Sequence, residues 1–227
     1  MDRYSVIDTK LPREFVLLQG EGCRWRKCTF CNYHEDCSDE PYNINKEVLQ
    51  RVTGCYGIHD IKNSCSAMEL DEKTVSLIKE IVKEKAIHTL WFEAHYMYRN
   101  RLNDFARQFA PAKVKFRCGI ESFDAQLRSS WNKGVADSVT AADVAKHFQG
   151  ICLLCCTVGD SRKRIIDDIA TAKRYFEYFS VNVFCNNGTS VQRDENLVEW
   201  FRNEIYPSLA KEDGVEVLLE NTELGVG

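Results

Sequence analysis

The chain has 227 residues, of which 44% are hydrophobic and 28% are charged, and its formal net charge at pH 7 is -4. This length and apolar content suit a globular protein, and we predict a single domain over 1–227. Basic residues cluster only at 24–27 and 162–164, which excludes a surface built to grip a long phosphate backbone. We therefore expect a small-molecule substrate and no direct contact with nucleic acid.

Short apolar segments alternate with helical patterns from near the start of the chain to near its end. The predicted strands are 14–20, 58–63, 88–92, 113–119, 150–157, 180–184 and 215–219. Such alternation is typical of βα units with parallel strands, so the predicted fold class is α/β, a partial (βα)6-type barrel. Ligands of such folds bind where the strands end, which directs attention to the segment after each strand.

Three of the connecting segments have apolar residues at helical spacing. The predicted faces are Val75, Ile78 and Val82, then Ile165, Ile169, Ala172 and Phe176, then Leu197, Phe201 and Ile205. Asp71, Ser161 and Asp194 stand where helix N-caps are expected. No apolar run approaches the ~20 residues that cross a bilayer, so we expect no membrane partner and a cytoplasmic location.

The segment after the first predicted strand carries Cys23, Cys28 and Cys31 in a C-x4-C-x2-C spacing, within a loop over 21–37. Thiolates are the ligands of iron-sulfur clusters, and three of them on one loop can hold one face of a cluster. Neighbouring basic residues, Arg24 among them, would offset the negative charge of a thiolate-bound cluster. The spacing therefore predicts an iron-sulfur site on these three cysteines.

Other uses of the eleven cysteines remain open. A zinc site needs four ligands, and Cys152 and Cys155, which have one suitable spacing, are predicted core residues of a strand. A plant-type 2Fe-2S carrier would use Cys55 or Cys65 as its fourth ligand, but such a carrier needs about half this length. We first expect small buried side chains at Cys37, Cys55, Cys65, Cys118, Cys156 and Cys185. Cys37, which ends the loop, is also open as a fourth ligand of the iron.

The cysteine loop resembles that of the radical S-adenosylmethionine superfamily, whose members place three cysteines after the first strand of a partial βα barrel. The commonest family spacing is C-x3-C-x2-C, so one additional residue separates Cys23 from Cys28. Phe30 matches the aromatic residue that usually precedes the last cysteine. The resemblance implies a 4Fe-4S cluster on Cys23, Cys28 and Cys31, with S-adenosyl-L-methionine bound at the open iron.

Further cofactor-binding residues are implied by the same resemblance. Segment 64–69 occupies the place of the family motif that receives the methionine amine, although Ser and Cys replace its glycines. Segment 119–124 resembles the part that contacts the ribose and carboxylate, and 156–161 the loop that passes the adenine. The implied residues are Phe30, Ser64, Ser66, Glu69, Glu121, Thr157 and Asp160. Glu121 could instead be a surface carboxylate.

A carboxylate, an imidazole and several aromatic rings crowd the segment 91–99, at the end of the third predicted strand. We predict Glu93 and His95 as catalytic and substrate-binding residues, and Tyr98 as a ring that stacks on a planar ligand. The alternative is that His95 begins a solvated helix. The other predicted substrate-binding residues follow other strands and are Asn32, Tyr33, His34, Asn182 and Asn221.

Four stretches resemble the sequences of superfamily members that act in bacterial queuosine salvage. These stretches are 28–34, 92–99, 119–124 and the Asn-Thr-Glu-Leu-Gly-Val-Gly ending. This resemblance implies a lyase that cleaves a carbon-nitrogen bond of queuine and releases 7-aminomethyl-7-deazaguanine for tRNA modification. It also implies an electron donor such as flavodoxin or ferredoxin. The alternatives are another small-molecule radical enzyme, such as a 7-deazapurine synthase, and an iron-sulfur module that only transfers electrons.

Overall fold

The computed structural model describes residues 2–220 and 222–226, and these residues form eight strands and eight α-helices. The strands are β1 (Tyr4–Ile7), β2 (Arg13–Leu18), β3 (Ile58–Asn63), β4 (Thr89–Glu93), β5 (Lys113–Glu121), β6 (Gly150–Cys155), β7 (Tyr178–Val183) and β8 (Val215–Leu218). The helices are α1 (Pro41–Leu49), α2 (Glu72–Glu84), α3 (Leu102–Arg107), α4 (Ala125–Ser130), α5 (Ala141–Ala145), α6 (Arg162–Tyr175), α7 (Glu195–Trp200) and α8 (Tyr206–Leu209). Short 3-10 turns occupy Tyr33–Glu35, Ala67–Glu69 and Tyr96–Tyr98, and a π-helical turn occupies Phe201–Ile205.

The chain divides into two compact units. The first comprises the N-terminal stretch through Arg26, then Tyr33–Phe116, and the end of the chain from Leu224. The second comprises Lys27–Asn32 and Arg117–Glu223. The unit boundaries therefore fall inside the cysteine loop and inside β5.

In the first unit β1 pairs antiparallel with β2, while β2, β3 and β4 are parallel neighbours. Val16 lies opposite Ile61, and Ile61 lies opposite Phe92, so apolar side chains of successive strands share a layer. The helix α2 covers this layer with the predicted residues, and its N-cap Asp71 accepts the Thr74 N–H at 2.8 Å. Each fully buried aliphatic side chain of this kind stabilises the fold by about 1.5–3 kcal/mol.

Charged side chains are also buried on β2 and β3 of the first unit. The Arg13 Nε donates to Asp60 Oδ2 at 2.8 Å, and both side chains are fully buried. The Glu14 carboxylate accepts the Gly54 N–H at 2.6 Å. His59, which is paired with Glu14 across the two strands, is also buried, and neither of its ring nitrogens has a hydrogen-bond partner among the described residues. Buried charges require such partners, because desolvation otherwise costs several kcal/mol.

In the second unit the end of β5 and strands β6, β7 and β8 are all parallel. The pairing of β5 with β6 shifts register between Gly119 and Glu121. The helix α6 begins at the predicted N-cap Ser161, whose Oγ accepts the Arg164 N–H at 3.2 Å. Its buried residues include Ile165, Ile169 and Ala172 of the predicted face.

Two sequence expectations are corrected. The strand β1 was not predicted, and it is antiparallel, so the parallel arrangement begins at β2. Buried side chains were expected at Cys55, which is exposed, and at Cys37, Cys65 and Cys185, which are only half-buried. Cys118, Cys152, Cys155 and Cys156 are buried as expected. Within the described residues, no helix has the length and apolarity needed to cross a membrane.

Candidate active site

The first part of the cysteine loop, through Arg26, belongs to the first unit. Cys23 is half-buried, and the Arg26 N–H points at the Cys23 Sγ from 3.4 Å. The backbone reaches this geometry through left-handed residues, Gly22 with φ +121° and Arg26 with φ +45°. A backbone N–H directed at a sulfur stabilises negative charge on it, which suits a thiolate ligand.

The second part of the loop, with Cys28 and Cys31, belongs to the second unit. The Cys31 N–H donates to the Cys28 carbonyl at 3.3 Å, which closes a tight turn between the two cysteines. The Thr29 N–H donates to the Trp131 carbonyl at 3.0 Å, and the Phe30 ring meets the edge of the Trp131 ring at 5.6 Å between centroids. The turn that follows α4 therefore holds this part of the loop.

Glu69 connects several segments of the first unit. Its Oε1 accepts the Arg24 N–H at 2.9 Å and the Tyr98 hydroxyl at 2.6 Å, and its Oε2 accepts the Ser66 N–H at 2.8 Å. Burial, with the Glu69 hydrogen bond next, raises the pKa of Tyr98 above its usual value. The Ser66 Oγ accepts the His95 N–H at 2.9 Å. The carboxylate thus joins the cysteine loop to the segment after β4.

The segment after β3 packs closely against the start of the cysteine loop. The Ser64 Oγ accepts the Gly20 N–H at 3.2 Å. A Cβ at Gly20 would lie 2.3 Å from the Cys65 Sγ, so only glycine fits there. The Asn63 Nδ2 lies 2.9 Å from the same sulfur. Burial, reinforced by Glu69, raises the pKa of Cys65 far above its usual value and keeps this thiol neutral.

Glu93 and His95, the predicted catalytic residues, already have partners. The Glu93 carboxylate lies 3.3 Å from the Lys62 Nζ, and its side chain is 30% exposed. The His95 ring stacks on Trp25 with centroids 5.7 Å apart, and its Nδ1 accepts the Met97 N–H at 3.1 Å. His95 therefore caps a single 3-10 turn and does not begin the solvated helix considered above. Their catalytic roles stay predictions.

Glu121 ends β5 and is buried, so it is not a surface carboxylate. It has φ +67°, directly after the register shift. Its Oε1 lies 2.8 Å from the Nζ of Lys133, and both side chains are 10% exposed. The Lys133 Nζ also lies 5.5 Å from the centroid of the Phe30 ring. Burial lowers the pKa of Lys133, but the charges of Glu121 and Cys28 together raise it by more, so the pKa lies above its usual value.

Thr157 and Asp160 lie just after β6 in the second unit. The Thr157 hydroxyl is buried, and its Oγ1 has no hydrogen-bond partner among the described residues. The Asp160 carboxylate accepts the N–H groups of Cys156 at 3.2 Å and Ser161 at 2.7 Å. Burial raises the pKa of Asp160. A buried hydroxyl without a protein partner is suited to a ligand, since leaving it unpaired is costly.

The predicted substrate-binding residues are distributed over both units. In the second unit, Asn32 and Asn187 are joined by two hydrogen bonds of 3.2 Å, and the Asn187 Nδ2 also donates to the Phe30 carbonyl at 2.8 Å. Asn182, on β7, has a buried Oδ1 that has no hydrogen-bond partner among the described residues. In the first unit Tyr33 is 62% exposed and His34 is half-buried. Asn221 lies outside the described residues.

The structure therefore assembles two groups of predicted residues. The first unit brings together Ser66, Glu69, His95 and Tyr98, and the second brings Phe30 next to Asn32 and places Glu121 against Lys133. Lys133 was not predicted, because the sequence around it, Asn132-Lys133-Gly134, has only the pattern of a turn. Lys62 was likewise not predicted.

The cysteine loop has the donor chemistry of an iron-sulfur site. None of the eleven cysteines, all of them in the described part of the chain, forms a disulfide. Within the described residues, no three Cys, His, Asp or Glu side chains are grouped closely enough to mark a metal site. In the first unit the loop nevertheless offers the half-buried thiol of Cys23 with an N–H directed at its sulfur. In the second unit it offers the half-buried thiols of Cys28 and Cys31, with the Lys133 ammonium 5.5 Å from the ring of Phe30 between them in sequence. These features fit a thiolate-bound cluster, whose negative charge needs such partners.

Comparison with known proteins decides the family. Over its full length the chain aligns with a queuine lyase from Clostridium spiroforme, solved bound to SAM and queuine, with 35% identity and a TM-score of 0.95. The alignment covers 100% of this chain and 99% of that chain. The chain belongs to the queuine lyases, radical S-adenosylmethionine enzymes. The predicted fold class, α/β with parallel strands of the partial (βα)6 barrel type, is confirmed.

Two further proteins are more distantly similar. The chain is 28% identical over 208 residues to archaeosine synthase subunit beta of Methanosarcina acetivorans, which covers 78% of this chain. The chain spans only 59% of the length of that curated relative. Methylornithine synthase matches in fold alone, with 10% identity, a TM-score of 0.54, and coverage of 92% of this chain and 73% of that chain. No protein-family model matches the sequence.

Proposed function

We propose that this enzyme cleaves the carbon-nitrogen bond between the cyclopentenediol and the aminomethyl group of queuine and releases 7-aminomethyl-7-deazaguanine, the preQ1 base. The observation that carries the proposal is the full-length match, at 35% identity, to a queuine lyase bound to SAM and queuine. A free base as substrate also agrees with a net charge of -4, since no phosphate backbone has to be bound. The released base then serves queuosine salvage in tRNA.

The proposed cofactors are a 4Fe-4S cluster on Cys23, Cys28 and Cys31, and S-adenosyl-L-methionine. When bound, they supply a 5′-deoxyadenosyl radical that takes a hydrogen atom from the substrate, and the protein's task is to position the reactants. The electron donor would be a flavodoxin or a ferredoxin. Eleven cysteines that form no disulfide in the described part of the chain suit a reducing compartment, and we place the enzyme in the cytoplasm. We also keep the proposal of a single radical domain over 1–227.

Side chains of the first unit have the chemistry to receive the methionine part of the cofactor. The Glu69 carboxylate can accept a charged amine, and the Tyr98 and Ser66 hydrogen bonds hold it in one orientation. In the second unit, Phe30, Glu121, Thr157 and Asp160 stay our candidates for the nucleoside part. The unpartnered Oγ1 of Thr157 supports this role.

The substrate residues follow from the chemistry of queuine. The Glu93 carboxylate can pair with the N–H groups of a deazaguanine edge or with the protonated secondary amine, while Lys62 holds it at 3.3 Å. His95 follows Glu93 by two residues, and the stacked Trp25 ring fixes the orientation of its imidazole. Asn32 and Asn182 offer amide groups suited to a diol, and Tyr33, His34 and Asn221 complete the proposed set.

The test is a reaction under anaerobic conditions. Protein reconstituted with iron and sulfide is given dithionite, S-adenosylmethionine and queuine, and mass spectrometry measures 5′-deoxyadenosine and 7-aminomethyl-7-deazaguanine. We expect both products from the wild type. In Cys31→Ala the cluster and both products should be lost, whereas Cys55→Ala, which removes an exposed cysteine outside the loop, should retain them.

Each result has a definite meaning. Deoxyadenosine without the base keeps the radical class and discards queuine as substrate. If the protein holds an intact cluster but forms neither product, the proposed enzymatic activity is contradicted and an electron-transfer module is favoured.

A second candidate is another radical reaction on a 7-deazapurine, favoured by the 28% identity to archaeosine synthase subunit beta. Supplying the 7-deazaguanine either as a free base or within tRNA separates the two candidates. Turnover of the base within tRNA, but not of the free base, would support the second candidate.

A further inference from the structure

A buried ammonium group lies beside the cysteine loop in the second unit. The Lys133 Nζ is 2.8 Å from the Glu121 Oε1, and each side chain is only 10% exposed. Removing two charges from water is costly, and an apolar pair of similar volume usually stabilises a fold equally well. Stability alone therefore does not explain why a lysine occupies this position.

The surroundings of Lys133 suggest what the charge does. The turn that carries it holds the loop, because the Thr29 N–H donates to the Trp131 carbonyl at 3.0 Å. Its Nζ lies 5.5 Å from the centroid of the Phe30 ring, and Phe30 follows Cys28 by two residues in the loop. The cation is thus fixed between a carboxylate and the face of an aromatic ring that belongs to the cysteine loop.

We propose that Lys133 is a positioning residue for the iron-sulfur cluster: it offsets negative charge at the Cys28 thiolate and holds the Glu121 carboxylate in place. This inference deepens the proposed function and rests on it, because it requires the cluster. Lys133 acts through these two side chains. A cluster that gains an electron becomes more negative, so a fixed cation nearby raises its reduction potential.

The experiment measures that potential directly. Lys133→Met removes the charge and keeps the length of the side chain, while Lys133→Arg keeps the charge. The matched control is Lys146→Met, which removes a 67% exposed lysine paired with Asp143. Each protein is reconstituted with iron and sulfide, and its cluster is titrated without substrate and followed by electron paramagnetic resonance.

We expect Lys133→Met to lower the equilibrium constant for cluster reduction about tenfold, which is about 59 mV for one electron. Lys133→Arg and Lys146→Met should stay near the wild type. The same potential in cluster-loaded Lys133→Met would overturn the inference. So would an equal shift in Lys133→Arg, because packing rather than charge would then be responsible.

Lys133→Met leaves a carboxylate buried at Glu121 and can fail to fold. The double variant Lys133→Met/Glu121→Gln, which leaves no buried charge at either position, is then compared with Glu121→Gln, so that the two proteins differ only in the charge at position 133. A lower potential in the double variant is expected, and equal potentials in the two overturn the inference. A wild-type protein that holds no 4Fe-4S cluster would instead defeat the proposed function, and this inference with it.

Discussion

Acidification should destabilise the protein through one buried histidine on β3. Burial lowers the pKa of His59 to about 4, although the charges of Glu14 and Asp60 oppose this shift. Their opposition is partial, because both carboxylates are already committed: Asp60 to Arg13 at 2.8 Å and Glu14 to the Thr53 N–H at 2.7 Å. His59 is therefore neutral in the folded protein at neutral pH.

The unfolded chain binds a proton at His59 near pH 6.5, whereas the folded chain binds it only near pH 4. Between these values the unfolded state holds more protons, so the free energy of unfolding falls as the pH falls. The contribution of His59 is complete above about pH 6.5 and is lost on acidification to about pH 4. At 1.36 kcal/mol per pKa unit, the loss is about 3 kcal/mol.

The assay is urea unfolding of the wild type and of His59→Leu at closely spaced pH values between about 7 and about 4. Other titrating groups act on both proteins, so the difference between the two curves isolates His59. We expect the wild type to lose about 3 kcal/mol more than the variant over this range. Parallel curves for the two proteins would refute the reasoning.

Three further substitutions test other parts of the structure. Gly20→Ala forces a Cβ to within 2.3 Å of the Cys65 Sγ, and we expect a loss of about 1–3 kcal/mol in urea unfolding, partly restored by Cys65→Ala. Arg13→Met removes the cation that is paired with the buried Asp60 carboxylate and should cost about 3–5 kcal/mol, while Arg51→Met, at an exposed pair, should cost about 0–1 kcal/mol. Glu93→Gln should raise the KM for queuine and leave cluster content unchanged; unchanged turnover would remove Glu93 from the substrate site.

The parallel strands could be predicted from sequence because a short, continuously apolar segment between helical patterns is typical of a strand that is buried on both faces. The prediction for β3 has the observed limits, 58–63, and the one for β6 overshoots by two residues. The strand β1 escaped detection because its four residues, Tyr4–Ile7, are half-buried or exposed and carry no apolar run. Its position depends on pairing with β2, which local sequence does not encode.

The third predicted helical face illustrates another limit of sequence patterns. Leu197 and Phe201 are buried as expected, but Ile205 is only half-buried. The helix changes to a π-helical turn at Phe201–Ile205, just before Pro207. Proline cannot donate a backbone hydrogen bond, so the regular helical pattern is interrupted there and the apolar spacing no longer follows one face.

The candidate site was accessible from sequence where chemistry and spacing coincide. The three cysteines of the loop stand out by residue type and spacing, whereas Ser66 and Glu69 were implied only by the family resemblance. Lys133 could not be found in this way. Its importance comes from its burial against Glu121, and the local sequence does not show that these two side chains meet in the folded protein.

The stacked pair of Trp25 and His95 makes part of the first unit visible to spectroscopy. Of the four tryptophans, all in the described part of the chain, Trp91, Trp131 and Trp200 are buried and only Trp25 is half-exposed. The long-wavelength part of the fluorescence emission should therefore report mainly on Trp25, at the loop that carries Cys23. Emission from this indole offers a way to follow ligand arrival in real time, without a label and before any product forms.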